Sequence, residues 1–151
     1  MAEAQIPEGV SADTENAEAR DAIAALLAEP DYERLAAVLR ALREGFLVVD
    51  VTGTPKNKVT RIRTTRSTKG QLILPIFTSA NELRAAVPKA KADAARGAIM
   101  PALSALRLIT SDKFVAAEIN PGSVPLVILR KYIELALREE PIDAATLERL
   151  R

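Results

Sequence analysis

The chain has 151 residues, a formal net charge of +1, and no cysteine, histidine or tryptophan. Without His or Cys there can be no Ser–His triad, no thiolate nucleophile and no imidazole or thiolate set for zinc, so catalysis would fall to carboxylates, Lys or Tyr. Hydrophobic residues make up 48% of the chain and aromatics only 3%; a domain of this length can bury an aliphatic core large enough to fold without a disulfide or metal.

The charge is unevenly spread. Residues 1–33 carry nine acids and one base, a net of −8, and the remainder carries +9. This asymmetry would let the acidic end lie against the basic body, but a solvated acidic entry segment is the preferred reading. The N-terminus lacks a basic start followed by an apolar block, and no apolar run approaches the ~18 residues of a membrane span. The expected location is the cytoplasm.

Residues 1–13, poor in large apolar groups and holding Pro7 and Gly9, are expected to be a disordered acidic tail, with 14–151 as a single domain. The first helix is expected from Thr14 to Ala28, capped by Asp13 or Thr14, with Ile23, Leu26 and Leu27 facing inward. Asp31 caps a second helix whose apolar face is Leu35, Val38, Leu39 and Leu42, ending at a left-handed Gly45. Phe46–Val51 is apolar on both faces and is expected to lie centrally in its sheet. Val59–Thr65 suits an exposed edge strand, Lys69-Gly70 a turn, and Gln71–Phe77 a further apolar strand. These three consecutive strands predict an antiparallel meander.

Ser79-Ala80-Asn81-Glu82 reads as a capping box opening a short helix that Pro88 ends at Val87. Residues 89–98 fit helix or loop. Pro101 opens a helix to about Leu108. Phe114–Ile119 is a strand and Val124–Ile128 a short one. Leu129–Arg138 is helical, and Pro141 and Asp143 start a last helix. The pattern predicts an α+β fold: an antiparallel-dominated or mixed sheet of about four to five strands with helices packed on it.

Two stretches carry more information than the rest. Phe77-Thr78-Ser79 with Glu82-Leu83, and Ile119-Asn120-Pro121-Gly122-Ser123, resemble the N-terminal domain of the SseB family, bacterial proteins named for enhanced serine sensitivity. The order of elements agrees, and the resemblance spans about 20–140. It implies an α+β domain of poorly defined biochemical role, with no cofactor and no accepted active site.

Read on its own residues, Asn120-Pro121-Gly122-Ser123 fits a type II turn, with Pro fixing φ at the second position and Gly122 supplying positive φ at the third. It is either a purely structural turn or one that presents Gly122 and the Asn120 amide to a peptide or small anion. Phe77, Thr78 and Ser79 have the same two readings: a buried ring and a helix cap, or amides at a helix N-terminus that hold a carboxylate or phosphate. If the two strands are parallel neighbours, both motifs border one shallow polar site.

Lys56, Lys58, Arg61, Arg63, Arg66 and Lys69 are six bases with no acid between them, the one nucleic-acid signal in the chain. No aromatic residue interleaves them, so a stacking platform is missing, and a charge-protected edge hairpin explains them better. No catalytic constellation or metal-ligand spacing stands out. The expectation is a non-enzymatic binding or interaction module without cofactor, with a protein or peptide partner rather than nucleic acid or a membrane. Homo-oligomerisation is left open.

Overall fold

The structure, a computed structural model, describes residues 4–5, 15–52, 62–138 and 140–151. Its elements are β1 (Ala4–Gln5), α1 (Ala17–Ala28), α2 (Tyr32–Ala41), β2 (Phe46–Asp50), β3 (Thr65–Arg66), β4 (Leu72–Ile76), α3 (Ala80–Ala86), β5 (Gly97–Pro101), α4 (Ala102–Arg107), β6 (Ala116–Ile119), β7 (Leu126–Leu129), α5 (Arg130–Ala136) and α6 (Ala144–Arg149). Short 3-10 turns cover Lys89–Ala94 and Leu108–Thr110. The α+β class holds, but the strands form two sheets instead of one. They are a three-stranded sheet in the order β1-β5-β2 and a four-stranded sheet in the order β3-β4-β6-β7.

The meander does not form. β2 pairs antiparallel with β5, and β4 pairs parallel with β6 and antiparallel with β3. The partner that β2 needs is supplied from far along the chain by β5, which begins at the end of the 89–98 stretch whose composition also suits helix. β5 is stabilised by its place between β1 and β2, with Gly97, Ala98 and Ile99 buried. β2 is buried throughout Leu47–Asp50 and lies at the seam of the two sheets. On one side it holds β5. On the other, Val48 and Phe77 exchange both backbone hydrogen bonds at 2.9 Å.

One helix start differs from expectation. The N-cap of α1 is Asn16, whose Oδ1 accepts from the Ala19 N–H at 3.1 Å; Asp13 and Thr14 lie outside the described residues. Asn16 prevails because its side chain also has tertiary partners, donating from Nδ2 to the Glu44 and Phe46 carbonyls. Leu27, expected inside, is exposed beside buried Leu26. Asp31 caps α2, Gly45 has φ 73°, and Val87 leaves α3 in an extended conformation before Pro88, all as the sequence predicts. Ala4–Gln5, within the stretch read as a tail, pairs with Gly97–Ala98.

The main core joins one face of the four-stranded sheet to the helices: Leu74, Ile76, Ala117, Ile119 and Ile128 meet Leu39 and Leu42 of the α2 region and Ile133 of α5. A second, smaller cluster at the seam holds Val48, Phe77, Leu83 and Ile99.

Candidate functional site

The parallel pairing of β4 with β6, in register from Ile73↔Ala116 to Ile76↔Ile119, brings both sequence motifs to the same end of the sheet. There they are joined. The Asn120 N–H donates to the Ile76 carbonyl at 2.9 Å, continuing the ladder by one step. The Asn120 side chain then reaches across: its Oδ1 accepts from the Thr78 N–H at 2.9 Å, and its Nδ2 donates to Thr78 Oγ1 at 3.0 Å. Asn120, Thr78 and Ser79 are all buried. The Asn120 amide thus has Thr78 as its partner, as buried polar groups generally must find partners.

The turn itself corrects the expectation for Gly122. Ser123 N–H donates to the Asn120 carbonyl at 3.2 Å, closing a four-residue turn, but the positive φ, 54°, belongs to Asn120. Gly122 does not have the positive φ that a type II turn demands. Its glycine is required by packing. A Cβ there would lie 2.4 Å from the Ala86 nitrogen and 2.5 Å from its Cα, so the turn rests directly on the backbone of α3. Asn tolerates the left-handed region better than most residues, so Asn120 takes the positive φ, and Gly122 permits the close approach.

The capping box forms by half. Ser79 Oγ accepts from the Glu82 N–H at 3.2 Å, but the Glu82 carboxylate accepts from Ser123 Oγ at 2.6 Å. The second motif therefore fastens the first turn of α3 in the role expected of the Ser79 backbone. With an acidic side chain already beside this short helix start, the arrangement disfavours a bound anion. Thr78 also accepts, at its carbonyl, from the Asn16 N–H at 2.9 Å, which ties the start of α1 to the same junction.

A cleft of about 460 Å³ opens next to this junction, lined by Phe77 of one motif and Pro121 of the other. Its origin is an interruption in strand pairing. The Leu72 and Ile76 carbonyls accept from the β6 side, so by strand alternation Ile73, Pro75 and Phe77 direct their backbones the other way. On that side Ile73 pairs with β3 and Phe77 bridges to β2, and Pro75 falls between the two. Proline has no N–H to leave unpaired, so the gap costs less there than at any other residue type. Val87, Pro88 and Lys91 line the cleft after α3, and Asp50, Thr52 and Arg63 line it across the gap. Arg63 holds its place by donating its N–H to the Asp50 carbonyl at 2.8 Å, while Asp50 Oδ1 accepts from Thr52 N–H. The Arg63 and Lys91 side chains are exposed.

The chain belongs to the SseB family. The model of the SseB protein N-terminal domain matches residues 20–135, which include both motifs, the cleft and both sheets except β1. No match was found among curated proteins or among solved structures.

Of the basic run in this SseB domain, Lys56, Lys58 and Arg61 lie outside the described residues. Arg63, Arg66 and Lys69 are exposed, with Arg66 donating to the Gly70 carbonyl at 2.9 Å across a turn whose Gly70 has φ 79°. Among the described residues, no group of three or more acidic side chains could hold a metal ion, and no helix is long and apolar enough to cross a membrane. Sequence reasoning missed Asn16, Pro75 and Lys91. Pro75 did carry a signal: a proline inside an apolar strand points to a place where pairing stops.

Proposed function

We propose that this SseB domain is a non-enzymatic binding module that holds a protein or peptide segment in the cleft beside the joined motifs. The observation that carries this reading is the break in β4 pairing at Pro75, which opens an apolar-lined cleft of about 460 Å³ against Phe77 and Pro121. Pro121, Val87 and Pro88 contribute to the ligand surface, while buried Phe77, Thr78, Ser79 and Asn120, with Gly122 and Ser123, hold that surface in shape. Exposed Arg63 and Lys91 at the same cleft favour a segment that combines an apolar side chain with a carboxylate. The concave, mostly apolar lining with a few charged groups is the usual form of a recognition site.

The test is a display selection of short unstructured peptides on the full chain, with a parallel selection on the Arg63→Glu, Lys91→Glu double variant. Enrichment of acidic-apolar peptides on the parent chain and their loss on the variant is the expected result. Equal enrichment on both, or none on the parent, would reject the reading.

A further inference from the structure

Four large hydrophobic side chains are exposed among the described residues, and they gather at one edge of the molecule: Val124 (64%), Val127 (54%), Leu129 (50%) and Leu27 (37%). β7 is the terminal strand of the four-stranded sheet, and an apolar groove of about 510 Å³ opens beside it, lined by Leu126 and Val127 together with Leu26, Leu27, Tyr32 and Leu35. From Val124 to Leu129 there is no charged residue. Soluble proteins ordinarily blunt a free edge with charge or cover it, and β7 has no such charge.

The direction of its backbone groups follows from the ladder. Asn120 N–H points to β4, so by alternation Ala117 and Ile119 face β7, where they pair with Ile128 and Leu126. Arg130 N–H donating to the Val115 carbonyl at 3.0 Å gives the same alternation from the other end. Val127 therefore directs both its N–H and its C=O off the edge, which no strand among the described residues covers. Leu129 directs its N–H the same way, but its carbonyl, at the N-cap of α5, takes the first helical hydrogen bond. Pro125 continues the alternation with a carbonyl and no N–H.

The edge thus offers two donors and two acceptors, arranged symmetrically about Val127. A second antiparallel copy of the same edge matches them all: each Val127 N–H meets the other copy's Val127 carbonyl, and each Leu129 N–H meets the other copy's Pro125 carbonyl. The two backbone groups that would have no mate in this register are the missing Pro125 N–H and the Leu129 carbonyl already held by α5. We infer that β7 is the isologous interface of a homodimer, in which two four-stranded sheets join edge to edge across a two-fold axis at Val127.

Because the chain has no cysteine, single introduced thiols report this register directly. In the inferred pairing the two Val127 Cα atoms are about 5.5 Å apart, within disulfide range. The two Leu129 residues are offset by four positions, about 13 Å along the strand, beyond it. Light scattering across a dilution series should give twice the 16.3 kDa chain mass at high concentration. Mild oxidation should link the Val127→Cys protein into a covalent dimer and leave the Leu129→Cys protein unlinked. The Val127→Lys, Leu129→Lys double variant should fall to the chain mass with an unchanged circular dichroism spectrum. A monomer at every concentration would overturn the inference. So would a dimer that links equally at Leu129, or at neither position, or that survives the double lysine substitution.

Discussion

The motif junction and the β7 edge invert the usual arrangement of a globular protein. At the junction, polar side chains are inside: Asn120, Thr78 and Ser79 are buried, with Asn120 and Thr78 bonded to each other and Ser79 Oγ accepting from the Glu82 N–H. At the edge, apolar side chains are outside, and strand alternation directs backbone groups of β7 away from every described strand. The difference shows which groups remain free to recognise anything. A distinctive motif is a natural place to look for a ligand site, but this one is closed upon itself, and its effect is to shape the cleft beside it. Among the described residues, two surfaces are left open: the interrupted strand at Pro75, which the motifs border with Phe77 and Pro121, and strand β7, which carries no distinctive motif.

Six substitutions at five positions bear on this contrast. Gly122→Val should have the largest effect, about 3 kcal/mol, because any Cβ meets the α3 backbone. Gly122→Ala should also be costly for the same reason. Gly70→Ala, in open space but at φ 79°, should cost only about 1 kcal/mol. Urea denaturation of the three variants checks this order. If Gly70→Ala proved the more damaging of the two alanine variants, conformational strain and not close packing would control these turns.

Asn120→Ala should destabilise by about 2 kcal/mol, because it strands the buried Thr78 N–H and leaves Ala with a positive φ. Unchanged stability with altered ligand capture would instead make Asn120 a ligand contact and break the contrast. Ser123→Ala removes an exposed hydrogen bond to Glu82 and should cost about 1 kcal/mol. The smallest effect is expected at the edge: Val127→Thr, compared at dilutions where the chain is monomeric, should change stability by no more than about 0.5 kcal/mol. A larger loss there would mean that the edge is part of the monomer's own packing.

Local sequence determined those features that depend on a few adjacent residues. Asp31 and Ser79 cap helices because a short oxygen-bearing side chain at that position bonds the free amides three residues on. Gly45 and Gly70 turn left-handed, and Pro88 stops α3, for equally local steric reasons. The apolar faces of α2 and β4 follow from periodicity, and the α+β class follows from the succession of such segments. The two family motifs could be read in the same way, and with them the family.

Only the tertiary structure decided how these pieces meet. Whether β2 pairs with its neighbours in sequence or with β5 depends on which alternative buries more surface, and no local propensity reports that. The positive φ of Asn120, where the turn pattern placed it on Gly122, follows from two contacts invisible in the motif: the approach to Ala86 and the bonds to Thr78. Asn16 became a cap because the Glu44 and Phe46 carbonyls, 28 and 30 residues away, were there to receive its amide. A cleft and a free edge arise from where strands fail to pair. Pairing is a relation between distant segments, so their gaps are settled only when the whole chain has folded.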